Sequence, residues 1–455
     1  MKGLGKPDAR SKLHTPTPGG QRRARLFKTL VFKTLVFTCL VFAAAAPTSL
    51  TATSTEGHKP RLLLVSIDGY RHDYTRLHKP PFLSRFKEDG ASLNSLRPVF
   101  PSKTFPNHLT LVTGVVPARH GIVYNHFYAP DLNAEYSLGD SAAVTNPDFY
   151  LAKPLWVLAQ AQGLKTATYF WPGSEAPIHG LKPSIVKSYN KNTPIEARID
   201  EVLRWVAMQG PDAPQFMSLY FSHVDDAGHH YGPHHRQTRN AVHTLDAALS
   251  ALWQGIQASD SRVNLVIVSD HGMYPRQKAQ TTPLFNEATH ALSKQFRTVG
   301  SGPSVQFYRT VAAQNAATAQ LEAERAVLQI NAHAKHFRCM TPNQAPKHYR
   351  LQGTERMGDF ICVANAHWNI RVTPDHKFPA GNHGWPAFEQ DDPAAIDMHG
   401  IFYARGPAFG EGRKLPTQDN VHVMPLLAHI LGIKLPEPAA LDGKLEALAP
   451  LLKSD

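Results

Sequence analysis

The chain has 455 residues, 42% of them hydrophobic and 18% charged. That length exceeds one small core, so one large domain with an insertion, or two domains, is expected. The formal net charge is +12, but residues 1–46 hold nine Lys/Arg against one Asp, which leaves +4 for the remainder; a body that near neutrality, with no basic run, gives little reason to expect polyanion binding and none to expect sequence-specific nucleic acid binding.

Residues 1–46 read as an export signal. Arg22, Arg23, Arg25, Lys28 and Lys33 precede an apolar stretch from Thr34 to Val41 that runs into Ala43, Ala44, Ala45 and Ala46, the charged region, apolar core and small residues of a cleavable leader. The apolar run is about 13 residues, short of the roughly 20 that span a bilayer. Cleavage near Ala46 is therefore expected, giving an exported, periplasmic or secreted protein with no membrane span once the leader is gone. Cys39 lies inside the leader, so Cys339 and Cys362 remain as an even pair, either one disulfide or two buried thiols.

The body begins near Lys59. Leu62 to Ile67 is a continuous apolar run, as expected of a strand covered on both faces. Pro106 sits just inside a helix expected to reach Thr113, which places Thr104 near its N-terminus. Further strands are expected at Thr166–Phe170, Phe216–Phe221, Leu265–Val268 and Gly400–Tyr403. Between them, Ile195–Met208 and the series Val242, Leu245, Leu249, Leu252 and Ile256 carry helical spacing. Strand alternating with helix predicts an α/β fold with a doubly wound, mostly parallel sheet. Residues 59–273 and 381–450 form its core, and 274–380, with a helix at Ala316–Ala334, reads as an inserted α+β subdomain.

Four polar clusters fall where apolar strands end, and open parallel sheets bind ligands beyond the carboxyl ends of their strands. Asp68 follows the first strand. Asp225 and His229 follow the Phe216 strand, Asp270 and His271 end the Leu265 strand, and His383 lies in Gly381-Asn382-His383-Gly384. Singly, a strand-end Asp is most often a helix cap and one His among many a bystander. Together they offer three carboxylates and three imidazoles, a donor set suited to zinc. Thr104 is a poor nucleophile in water. At a helix N-terminus beside bound metal its hydroxyl can be held as an alkoxide; the bland alternative is a helix-capping threonine with no chemistry.

With these motifs assembled, the chain resembles the nucleotide pyrophosphatase/phosphodiesterase family of the alkaline phosphatase superfamily over roughly Arg61 to Gly432. The motifs are Asp68-Gly69, Lys103-Thr104-Phe105-Pro106-Asn107-His108, Gly173-Ser174-Glu175, Asp225 through Pro233, Ser269 through Met273, Gly381 through Gly384 and Arg405 through Phe409. The resemblance implies two Zn2+, one held by Asp68, Thr104, Asp270 and His271, the other by Asp225, His229 and His383. It implies double displacement, with Thr104 attacking phosphorus and water then cleaving the covalent intermediate. Asn125 matches a phosphate-contacting asparagine. Phe105 and Tyr189 match aromatics that sandwich a nucleotide base, and Tyr220 is a candidate to join them. Ser222-His223-Val224-Asp225 departs from the Glu-x-Pro-Asp of many members, which puts the pocket wall near His223 in doubt, and His230 is expected to be a bystander. The expected activity is hydrolysis of nucleotide pyrophosphates and phosphodiesters. The alternatives are a relative acting on choline-phosphate lipids or glycerophosphodiesters, and an exported metal-binding interaction module without catalysis.

Overall fold

The computed structural model describes residues 60–454 apart from 260–261, 277–279, 312–314, 391 and 438–439, so the leader lies outside the described residues. The strand Arg61–Ile67 shows why the apolar runs dictate the sheet. All seven residues are buried, and alternate side chains serve opposite cores. Leu62 and Leu64 join one hydrophobic cluster, while Leu63, Val65 and Ile67 join another. A strand with period-two alternation and both faces apolar can be satisfied only by helices above and below.

That strand pairs in parallel with Phe216–Phe221 on one side and Val263–Val268 on the other. Beyond Phe216–Phe221 lie Thr166–Tyr169 and Ile185–Lys187, both parallel. On the other flank Phe402–Arg405 runs antiparallel to Val263–Val268, followed by Ala91–Leu93 and Lys414–Leu415 to complete eight strands. The mostly parallel sheet is thus borne out, but its last expected strand sits two residues later and runs in the opposite direction. Helix Arg236–Ala258 buries Val242, Leu245, Leu249, Leu252 and Ile256 on one face of the sheet. Helix Ile195–Ala207 packs on that same face, and helices Thr104–Thr113 and Val423–Ile430 pack on the opposite one.

Between Val263–Val268 and Phe402–Arg405 the chain builds a four-stranded antiparallel sheet of Phe296–Val299, Ser304–Arg309, Phe360–Ala364 and Phe337–Met340. The helix Ala316–Asn331 packs on it, and together they enclose a third core cluster. Cys339 and Cys362 lie directly opposite each other on paired strands and form a disulfide. Closing a loop of 23 residues' separation restricts the unfolded chain by about 3 kcal/mol. Reduction is therefore expected to lower the melting temperature by several degrees, measured by calorimetry with and without dithiothreitol; an unchanged melt would show that this sheet does not limit stability.

Among the described residues no helix is long and apolar enough to cross a membrane.

Candidate active site

The site gathers at the carboxyl ends of the parallel strands. Asp68 leaves the first strand at a turn whose next residue, Gly69, has φ +66°. A Cβ there would lie 2.7 Å from Asp225 Oδ1 and 2.9 Å from Asp225 Cα. Glycine is required both for the backbone conformation and for the close approach of the second carboxylate.

Thr104 is the first residue of its helix, and Lys103 is the N-cap. The threonine hydroxyl lies 3.4 Å from His271 Nε2. Asp270 Oδ2 is 3.1 Å and Asp68 Oδ1 3.4 Å from that same nitrogen. The four residues expected around one metal therefore converge on one imidazole nitrogen. Beside them, Asp225 and His229 stand one turn apart on helix His223–Tyr231. Asp225 Oδ2 is 3.4 Å from His229 Nε2, and His383 Nε2 is 3.0 Å from His229 Nε2.

The hydrogen bonds behind the histidines fix which nitrogen faces the centre. Nδ1 of His229 bonds the Gly381 carbonyl at 2.8 Å, Nδ1 of His383 the Ser102 carbonyl at 2.8 Å, and Nδ1 of His271 the Gly272 carbonyl at 3.0 Å. A carbonyl only accepts, so each Nδ1 carries a proton and each ring turns Nε2, the atom a metal takes, inward. Two Nε2 atoms 3.0 Å apart repel unless a cation lies between them. The carboxylates make the same point. Asp68 Oδ1, Asp225 Oδ1 and Asp270 Oδ2 are buried without a hydrogen-bond partner. Burial, then the neighbouring Asp270 and Asp225 charges, drives the Asp68 carboxyl well above its ordinary range. Burial and the Asp225 charge do the same to Asp270. Burial also pushes His271 and His383 well below the usual histidine value. Inward-facing imidazole nitrogens and costly buried carboxylates, which the nearby Lys103 ammonium offsets only in part at Asp225, form a site that fits divalent metal. Because burial raises the proton affinity of these carboxyls and a metal must displace any proton they hold, zinc binding is expected to release protons, more of them as pH falls. Calorimetric titration in buffers of different ionisation enthalpy measures this, and a buffer-independent heat would contradict it.

Several supporting residues carry no assigned role in the sequence reading, though Lys103 and His108 belong to its motif. His108, one helical turn after Thr104, places Nδ1 2.8 Å from the Thr104 carbonyl and 3.3 Å from Asp270 Oδ2, with Nε2 2.8 Å from Ser66 Oγ. It ties the helix that begins at Thr104 to the Asp270 carboxylate. The spacing Thr104–His108 was the available signal, since residues four apart share a helix face. Ser102 and Lys103 hold the His383 loop. Ser102 Oγ donates to the Trp385 carbonyl at 2.6 Å, and Lys103 Nζ donates to the His383 carbonyl at 2.7 Å.

A cavity of about 290 Å3 opens above this centre and is lined by Asp68, Thr104, Phe105, Asn125, Phe170, Trp171, Glu175, Tyr189, Tyr220, Asp225, His229 and His383, among others. A larger groove of about 890 Å3, between helix Ala316–Asn331 and Trp385, holds none of the clustered ligands. The smaller cavity therefore has the better claim on chemistry. Asn125 Oδ1 accepts from the Phe105 backbone N–H at 2.9 Å, which orients its amide nitrogen toward the remaining space. Tyr189 is half exposed on the cavity rim. Tyr220 reaches the cavity, but its hydroxyl donates to Asp68 Oδ2 at 2.5 Å, so it also positions a carboxylate. His223 does not line the cavity; Ser222 and Asp226 do, and they bond each other at 2.9 Å. His230 packs on Tyr231 instead of facing the centre.

The sequence model for type I phosphodiesterase / nucleotide pyrophosphatase matches residues 62–386. The chain belongs to this family. It is 31% identical over 401 residues to human ectonucleotide pyrophosphatase/phosphodiesterase family member 1, covering 87% of this chain and 42% of that protein. To venom phosphodiesterase 2 of Crotalus adamanteus it is 32% identical over 400 residues, covering 86% and 47%. The chain thus spans less than half the length of these curated relatives. Murine ectonucleotide pyrophosphatase/phosphodiesterase 5, solved as an inactive threonine-to-alanine form in complex with AMP, matches with a TM-score of 0.77 at 26% identity, covering 87% of this chain and 100% of that one. The human form matches at 0.77 and 27%, again covering 87% and 100%. The fold is accordingly that of the alkaline phosphatase superfamily.

Proposed function

We propose that the chain is an exported, zinc-dependent enzyme that hydrolyses nucleotide pyrophosphates and phosphodiesters to nucleoside 5′-monophosphates through a covalent Thr104 intermediate. The observation that carries this is the convergence of Thr104 Oγ1, Asp68 and Asp270 on His271 Nε2, beneath a cavity that also holds Phe105 and Tyr189. Asp68, Thr104, Asp270 and His271 would hold one Zn2+, and Asp225, His229 and His383 the other. Bound there, the ions supply Lewis acidity toward phosphoryl oxygens and lower the pKa of a ligated hydroxyl.

The protein's own groups account for the rest. Thr104 Oγ forms a bond to phosphorus as the ester oxygen leaves. The dipole at its helix N-terminus favours the phosphoryl charge, although the Phe105 N–H is taken by Asn125 Oδ1 and Pro106 has none. Asn125, its oxygen engaged by Phe105, has N–H groups free to donate to a phosphoryl oxygen. Phe105 and Tyr189 offer ring faces to a base, which any base can use. No arginine or lysine is among the described residues lining the cavity, and the nearby Lys103 ammonium is turned to the His383 carbonyl, so the cavity wall itself offers no side-chain cation to the second charge of a phosphomonoester. That favours diesters and pyrophosphates. The AMP bound to the murine relative supports a site that accepts a nucleoside monophosphate. The segment 274–380 is read as an inserted subdomain that carries none of these groups.

The test is a substrate panel on zinc-reconstituted protein. Nitrophenyl thymidine 5′-phosphate and ATP are expected to be cleaved at least about tenfold faster than nitrophenyl phosphorylcholine or a nitrophenyl monoester, a margin of roughly 1.4 kcal/mol in transition-state binding. Equal or reversed rates for the thymidine and choline esters would defeat the nucleotide assignment, and full activity after exhaustive chelation would defeat the metal assignment.

A further inference from the structure

Arg198 is fully buried in the first turn of helix Ile195–Ala207, and among the described residues no carboxylate forms a salt bridge with it. Its guanidinium is spent on backbone carbonyls. Nε and Nη2 donate to Thr193 at 3.2 and 3.0 Å, Nη2 also approaches the Lys191 carbonyl at 3.4 Å, and Nη1 donates to Tyr220 at 3.2 Å. The same group lies 4.9 Å from the Phe170 ring centroid and 5.6 Å from that of Phe221. Burying a cation without an anion is costly, and these dipoles and ring faces are what offset it.

The anchored pieces are the walls of the candidate slot. Residues 188–194 link strand Ile185–Lys187 to the helix and carry Tyr189. At the start of this loop the Tyr189 N–H bonds Glu175 Oε1 at 2.9 Å; toward its end Arg198 holds Lys191 and Thr193. The Phe170 ring meets Tyr189 edge-on at 5.3 Å and stands on a backbone with φ +63°, a conformation that costs a bulky residue and persists only when its surroundings enforce it. Tyr220, whose carbonyl Arg198 holds, reaches Asp68 through its hydroxyl. One buried guanidinium thus joins the exposed tyrosine, the strained phenylalanine and the strand bearing a metal-facing contact.

We propose that Arg198 is a positioning residue for substrate selectivity. Without lining the cavity itself, it sets the placement of Tyr189 and Phe170, and so determines how well a base-bearing ester is held relative to one without a base. This rests on the nucleotide reading of the site. Lysine would keep the charge, but its single ammonium cannot reproduce a planar fork serving three carbonyls on two segments.

The experiment compares nitrophenyl thymidine 5′-phosphate with methyl nitrophenyl phosphate, which share a leaving group and differ in the part that enters the slot, on zinc-loaded Arg198→Met, Arg198→Lys, Tyr189→Ala and Tyr189→Ala/Arg198→Lys proteins. Both Arg198 variants are expected to lose at least about tenfold in kcat/KM on the thymidine ester, mostly through KM, and to stay within about threefold on the methyl ester with zinc content unchanged. The double variant is expected to lose clearly less than the product of the two single losses, because the arginine acts largely through that loop and through the Phe170 ring that packs on Tyr189. Equal losses on both esters, no loss on either, or additive losses in the double variant would each overturn the proposal. If Arg198→Met does not fold, Arg198→Lys and the double variant decide. A Thr104→Ala control separates the two levels: full activity there overturns the site reading itself, whereas an inactive control with unchanged selectivity in Arg198→Lys overturns only the role of Arg198.

Discussion

Thr104→Ala is expected to lower diester hydrolysis by at least about a thousandfold, the scale on which removing a covalent nucleophile acts; zinc content should stay near the parent's, because the hydroxyl is the weakest donor of its set and Asp68, Asp270 and His271 remain to hold that ion, and so should the melting temperature. The helix does not use Thr104 as its cap. A capping threonine sits outside the first turn and accepts from an N–H within it. Thr104 is instead the first helical residue, and the nearest side-chain partner of its hydroxyl is His271 Nε2 at 3.4 Å. Losing so long a contact costs within about 1 kcal/mol of stability, so a collapse in rate cannot be attributed to unfolding. Thr104→Ser keeps the hydroxyl and is expected to retain a measurable fraction of the rate. Steady-state kinetics on nitrophenyl thymidine 5′-phosphate, with zinc measured by mass spectrometry on the same samples, decides the matter; a zinc-replete alanine protein with parental activity would falsify the mechanism.

What the sequence made legible was local in origin. Leu62 to Ile67 reads as a buried strand because every residue must be apolar when helices cover both faces. Thr104 to Thr113 reads as a helix because Pro106 and the following apolar residues fit its first turns. The strand-end clusters could be grouped because a parallel sheet delivers its carboxyl ends to one edge, which brings Asp68, Asp225 and Asp270 together from positions far apart in the chain. Chain direction was not legible. Phe402–Arg405 has the same apolar character whichever way it runs, and only its return from the preceding α+β segment makes it antiparallel to Val263–Val268. Supporting contacts were equally hidden. Nothing in the pattern around Arg198 distinguishes a guanidinium buried among carbonyls from one facing water, and Tyr220, which does line the cavity, gave no sign that its hydroxyl also bonds Asp68.

Asp225 carries the second large effect, because it belongs to both groups of converging ligands: one with His229 and His383, the other with Asp68 and His271. Asp225→Asn keeps its shape and removes its charge. It is expected to lose at least one equivalent of zinc and about a thousandfold in activity, as befits removal of a ligand at a metal that supplies transition-state charge. The metal-free protein is expected to respond in the opposite sense. Burial raises the Asp225 carboxyl above its ordinary range, and its negative charge helps raise Asp68 and Asp270. A folded-state value above the unfolded value, about 3.9 for aspartate, means that stability present below that pH is lost as pH rises through the folded value. Metal-free parent protein should therefore melt lower at pH 8 than metal-free Asp225→Asn, and the difference should shrink as pH falls and the parent's carboxyls take up protons. Zinc should reverse the order at pH 8 by stabilising the parent more than the variant. Calorimetry of both proteins with and without zinc across that range reads all of these signs together. A variant with full zinc content, or a metal-free variant less stable than the parent at pH 8, would show that the buried carboxylate is held for packing and not for a cation.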